Sequence, residues 1–169
     1  MIGIIKDLRR CVPRFDESTG IVLIARCVAS MVLHPGWMAI FNLRLASGLR
    51  KIYLHPFSWL LYRLNMHLFA MDIHPSVTIG WGAWMPHPLG IVIARDSTIG
   101  EDSTIFQNVT IGGRGQPSVI GNRVVIGAGA CILGPAKLGD NVTVGANSVV
   151  TKDVPSDTTV VGSPARPIE

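Results

Sequence analysis

His87 stands between two prolines in the stretch MPHPLGIVI, residues 85–93. Each pyrrolidine ring fixes its own φ and restricts the residue before it, so the imidazole sits on stiff backbone. An imidazole exchanges its proton near neutral pH, which suits it to general-base chemistry. A tight turn would hold a histidine in the same way, and taken alone the turn reading is the simpler one. A neutral histidine base also needs its second ring nitrogen held in one tautomer, commonly by a carboxylate. Asp72, in DIHP, lies 15 residues upstream. Whether it can meet His87 depends on the elements that carry the two.

Those elements come from a repeat. From Ile73 an aliphatic residue returns about every six positions, as in IHPSVT, IGWGAW, MPHPLG, IVIARDST, IGEDST and IFQNVT. IGGRGQPSV, IGNRVV, IGAGAC, ILGPAK, LGDNVT, VGANSV and VTKDVP follow, making thirteen units that open on Ile, Leu, Val or Met. Gly comes second in seven of them, and the fifth place is small or β-branched (Ser103, Val109, Val124, Ala130, Ala136, Val142, Ser148). No helical period gives this pattern, and repeated Gly with β-branched residues disfavours helix. The hexads predict a coil of short strands whose openers stack inward from one turn to the next. Two units are longer: IVIARDST has two extra residues and IGGRGQPSV three. Extra residues in a solenoid bulge outward as loops, and such loops often form the binding face. If one coil takes about three hexads, residues 72 and 87 should lie close together on adjacent levels.

Composition divides the chain at the same place. Residues 1–71 carry nine Lys/Arg against three Asp/Glu and eight of the 11 aromatic residues. Residues 72–169 carry six against eight, with 14 of the 18 glycines. A helical arm over 1–71 and a repeat domain over 72–169 are expected. Within the arm, residues 18–33, 37–51 and 57–70 read as helices, with His34-Pro35-Gly36 as a break. Arg26, Arg44, Arg63 and Pro35 interrupt the apolar stretches, which argues against a transmembrane span. The basic, aromatic-rich arm could pack on the protein itself or rest peripherally on an anionic membrane. Three cysteines (Cys11, Cys27, Cys131) without metal-ligand spacing fit reduced thiols and a cytoplasmic setting, and no metal site is expected. The acidic repeat half and the lack of a recognition motif argue against nucleic-acid binding.

DIHPSVTIG, HPLGIVI, IFQNVTIGG, IGAGACILGPAKLGDNVTVGANSVVTKDVP and VVGSPAR resemble the hexapeptide-repeat acyltransferases over residues 72–167. Serine acetyltransferases and their short polysaccharide O-acetyltransferase-like relatives look most similar. The resemblance implies a mainly β fold, a left-handed parallel β-helix behind a short α-helical arm. It implies homotrimers, open to pairing as dimers of trimers, with sites in the clefts between helices. It further implies acetyl-CoA as donor, His87 as general base removing a proton from an acceptor hydroxyl, and Asp72 as its orienting carboxylate. Small residues such as Ala128 and Ala146 would admit the pantetheine arm, while Thr151, Lys152 and Arg166 match CoA-contacting positions. Gly113 is a weaker match of that kind, and Arg114 a candidate acceptor ligand. His74 matches no catalytic position and reads as structural. No Ser, Cys or Lys forms an evident nucleophile–base pair with His87, so direct transfer is expected and Cys131 reads as packing.

Three departures fall on the acceptor side. Serine acetyltransferases carry aspartate before the catalytic histidine, where this chain has Pro86. Their later loop is longer and holds an Arg-His pair, where this chain has only Arg114 in GGRGQPS; that segment also lacks the G-K-[ST] ending of a phosphate loop. Their helical domain exceeds the 71 residues found here. These departures favour a sugar hydroxyl in surface-polysaccharide assembly as acceptor, with L-serine as the alternative. A non-catalytic β-helix scaffold is the remaining alternative, although it has no use for Asp72 and His87 in register.

Overall fold

The hexads close into a three-sided parallel solenoid of about five turns. The computed structural model describes residues 2–11, 34–112 and 116–168. One face holds β1 (Asp72–Ile73), β3 (Val92–Ile93), β6 (Thr110–Ile111), β9 (Cys131–Ile132) and β12 (Val149–Val150). The second holds β2 (Thr78–Ile79), β4 (Thr98–Ile99), β7 (Val119–Ile120) and β10 (Lys137–Leu138). The third holds β5 (Thr104–Ile105), β8 (Val125–Ile126), β11 (Thr143–Val144) and β13 (Thr159–Val161), closed by β14 (Arg166–Ile168) running antiparallel. Each pairing puts an opener beneath its counterpart, as in Ile73, Ile93, Ile111, Ile132 and Val150 along the first face. All five are at most 2% exposed, and burying one such aliphatic side chain is worth about 1.5–3 kcal/mol. No coil could bury its openers without neighbours above and below.

The register corrects one detail of the repeat frame. Ile73 pairs with Ile93 and Thr78–Ile79 with Thr98–Ile99, so IARDST is a regular hexad opening on Ile93. The two extra residues therefore lie between Met85 and Ile93, in the turn that carries His87 itself. Ile91 is also fully buried, and two apolar residues on the same side of IVI left the frame ambiguous.

The corners are built from left-handed residues. Asp96, Asp102, Asn108, Arg123, Asn141, Asn147 and Asp157 all have φ between 54° and 61°. Short polar side chains tolerate this region, whereas β-branched ones clash in it. Asn141 accepts from Arg123 Nε at 2.6 Å and donates to Asp157 Oδ1 at 2.7 Å, which links three levels of one corner. Asn141→Val should cost about 1–2 kcal/mol in urea unfolding, and Asn141→Gly far less. Equal losses in the two variants would mean that the hydrogen bonds rather than the backbone conformation hold the corner.

Three described helices close the first coil: α1 (Ile2–Cys11), α2 (Pro35–Lys51) and α3 (His55–Phe69). α1 was not expected from the sequence. α2 begins within the expected break, with Pro35 in its first turn, a position where a missing N–H is harmless. The expected 18–33 helix lies outside the described residues. Leu8, Trp37, Ile40, Leu43, Phe69 and Met71 are buried in one cluster with Ile73, Val77 and Met85. The arm thus covers the open end of the solenoid. The outer side of α3 keeps Leu60, Leu64 and Leu68 exposed, and no described helix is long and apolar enough to cross a membrane.

Candidate active site

His87 sits on the corner where the third face turns into the first. The turn is stitched on both sides: Gly90 N–H donates to Phe69 O at 3.1 Å and Asn108 N–H to Leu89 O at 2.8 Å. Within it, Leu89 N–H donates to the His87 carbonyl at 2.8 Å. Met85, just before, is fully buried, and its carbonyl oxygen lies where a Cβ on Gly36 would fall. Glycine at position 36 therefore lets the start of α2 press against the base of the turn. The arm and the next coil fix the backbone, and the His87 side chain is left exposed.

Asp72 opens β1, pairs with Val92 in the ladder and projects outward, while Ile73 points into the core. Its N–H donates to Ile91 O at 2.9 Å, so it is tied to the strand that follows the His87 turn. Its carboxylate, however, accepts from Tyr62 Oη at 2.6 Å, and no hydrogen bond or ion pair joins it to His87 among the described residues. Burial, with the hydrogen bond to Asp72 second, pushes the Tyr62 phenol up to about 12. The hydroxyl therefore remains a donor throughout the neutral range. Tyr62 stands edge-on to Trp59 and to His74, with centroids 5.2 and 6.1 Å away. Sequence reasoning did not single out Tyr62, because nothing local in LLYRLN tells where its hydroxyl will reach.

His74 makes its hydrogen bonds within its own turn. Ser76 N–H donates to its Nδ1 at 3.1 Å, which places the ring proton on Nε2, and burial lowers its pKa. Cys131 is half-buried with its sulfur 3.9 Å from Gly129 O. No group of three or more potential metal ligands occurs among the described residues.

The remaining candidates fall in two places. Ala128 and Ala146 occupy the His87 corner on higher levels, in a column continued by Gly129 N–H to Gln107 O at 2.9 Å and Asn147 N–H to Ala128 O at 2.8 Å. Gln107 Oε1, buried in this column, has no hydrogen-bond partner among the described residues, and nothing in IFQNVT signals this in advance. Thr151, Lys152 and Arg166 instead line an open cleft of about 280 Å³ at the far end of the solenoid, with Val160, Ala165 and Pro167. Gly113 and Arg114 lie outside the described residues. A larger open groove of about 700 Å³, bordered by Arg50, Lys51, Tyr53 and Trp81, includes none of the candidate residues.

Residues 117–152 match the family model for the bacterial transferase hexapeptide (six repeats). The chain is 41% identical over 143 residues to a serine acetyltransferase of Helicobacter pylori. That alignment takes in 82% of this chain and 84% of the relative, so the two are of nearly equal length. Among solved structures, Neisseria gonorrhoeae serine acetyltransferase superposes with a TM-score of 0.85 at 31% identity, covering 99% of this chain and 65% of that one. Brucella abortus serine acetyltransferase in complex with coenzyme A gives 0.84 at 32%, covering 99% and 66%. The chain thus spans just under two thirds of these solved chains. Its solenoid is the left-handed parallel β-helix that the resemblance to hexapeptide-repeat acyltransferases implied.

Proposed function

The chain belongs to the serine acetyltransferase family of hexapeptide-repeat transferases, and from that premise we propose that it moves an acetyl group from acetyl-CoA directly to the hydroxyl of L-serine. The observation that carries the reading is the placement of His87. It is exposed on a turn held by two prolines, the end of α3, the next coil and α2, in the same corner as Ala128 and Ala146.

The chemistry follows from these groups. Neutral His87 takes the hydroxyl proton as the acceptor oxygen attacks the thioester carbonyl. The tetrahedral intermediate then collapses, the C–S bond breaks, and the imidazolium returns the proton to the departing CoA thiolate. One proton is taken and one returned, so no net charge is left on the protein. The corner column of small residues admits the pantetheine arm against the backbone. Lys152 and Arg166 offer cationic partners to its phosphates from the end cleft. Since that cleft and the His87 corner are separate on one protomer, the reading has the acetyl donor spanning neighbouring protomers of a homotrimer.

Serine, rather than the sugar hydroxyl favoured from the sequence, is supported as acceptor by curated relatives about 40% identical that carry the serine acetyltransferase name. Pro86 remains the specific observation on the other side, since it can neither carry charge nor donate an N–H toward an amino acid. Thiol release from acetyl-CoA with L-serine and with a panel of sugars separates the two. Faster turnover with serine is expected; faster turnover with any sugar would overturn serine as acceptor.

Lys152→Ala and Arg166→Ala should each raise KM for acetyl-CoA about tenfold, the loss of one hydrogen bond to a charged group, with kcat little changed. An unchanged KM in both would remove the end cleft from the donor site.

A further inference from the structure

We propose that Tyr62 is a positioning residue for acceptor deprotonation: its hydroxyl fixes the Asp72 carboxylate through Oδ1 and leaves Oδ2 to orient the His87 imidazole. This rests on the acetyl-transfer reading given above. Asp72 is exposed on a strand of two residues, and such a side chain has several rotamers open to it. The 2.6 Å hydrogen bond from Tyr62 removes that freedom at one oxygen. Oδ2 has no hydrogen bond to any described residue, so its lone pairs remain available.

The connection to His87 runs through backbone. Phe69, at the end of the helix that carries Tyr62, accepts from Gly90 N–H in the His87 turn, and Asp72 N–H donates to Ile91 O just beyond it. Tyr62, Asp72 and the His87 turn are therefore tied to one another by α3, β1 and the residues leading into β3. Base–carboxylate contacts are often loose without substrate and tighten in the complex, so a single anchored oxygen is what a pre-set partner requires. The ring of Tyr62 is held independently by its edge contacts with Trp59 and His74. Phenylalanine keeps those contacts and deletes only the hydroxyl, which separates positioning from packing.

The test uses Tyr62→Phe, Asp72→Asn and the double variant of the full chain. Tyr62→Phe should lower kcat for acetyl transfer about tenfold, leave KM for acetyl-CoA and the thermal midpoint unchanged, and add nothing to Asp72→Asn. A second readout needs no turnover. Tyr62 and Tyr53 are the protein's two tyrosines, so Tyr53→Phe leaves a single phenol to titrate by ultraviolet absorbance. In that background Asp72→Asn should lower the titration midpoint of Tyr62. Wild-type kcat in Tyr62→Phe, an equal tenfold loss on top of Asp72→Asn, or a phenol midpoint unmoved by Asp72→Asn would each overturn the inference alone. A wild type that transfers no acetyl group to any acceptor would instead overturn the parent reading, and the role of Tyr62 with it.

Discussion

His87→Ala should lower kcat for acetyl transfer by about 100- to 10,000-fold, the usual contribution of a positioned general base. The change is confined to an exposed side chain, so stability should stay near the wild-type value. The turn survives the substitution because its fastenings are backbone: Gly90 to Phe69, Asn108 to Leu89, and the His87 carbonyl itself accepting from Leu89. Pro86, Pro88 and the close approach of Gly36 to Met85 O also remain. Binding of acetyl-CoA should be retained, since the corner alanines and the end cleft lie on other levels of the solenoid. A large fall in kcat with intact donor binding and intact folding is thus the expected signature. Small-molecule imidazole, added back, should restore part of the rate. A variant with half the wild-type kcat would leave His87 as the turn residue that its prolines alone allow.

Asp7→Ala should destabilise the protein by about 3–5 kcal/mol, the cost of removing one partner from a buried ion pair. Asp7 is fully buried, and its carboxylate accepts from Arg44 Nε at 3.0 Å and from Gly82 N–H at 2.6 Å. Arg44 donates in turn to the carbonyl oxygens of Ile79 and Gly80, and its guanidinium lies 4.3 Å from the centroid of the Trp81 ring. One carboxylate thereby links α1, α2 and the first coil. Alanine leaves the guanidinium without its counter-charge and an amide N–H without an acceptor, both largely out of water. Urea unfolding measures the loss. Replacing both partners, as Asp7→Leu with Arg44→Met, should recover part of it, because the unpaired charge goes too. A single-variant loss below about 1 kcal/mol would mean that water reaches the pair in solution.

The solenoid was legible because its physics repeats. Each hexad needs one inward aliphatic and one left-handed corner, so Ile, Gly and Asn recur in step and a single period describes all three faces. The frame slipped only where two apolar residues, Ile91 and Ile93, could both serve as opener. The arm was less legible because its contacts are distant in sequence. α1 lacks acidic residues in its first turn, and its firmest ties are Asp7 to Arg44 and Gly82 and Lys6 to Glu101. Pro35 looked like a breaker and proves to be a helix start. At the candidate site, His87 could be read from its prolines and its motif. The hydroxyl on Asp72 could not, because Tyr62 arrives from a helix whose position only the folded arm determines.

The central claim is direct acetyl transfer to a hydroxyl with His87 as base. It is tested most directly by incubating the protein with acetyl-CoA labelled in its acetyl group, with L-serine as acceptor, and following the label by mass spectrometry. The account predicts label on the serine oxygen in step with thiol release, no labelled protein at any time, and loss of both signals in His87→Ala. Label accumulating on the protein before product, or full transfer by His87→Ala, would contradict it.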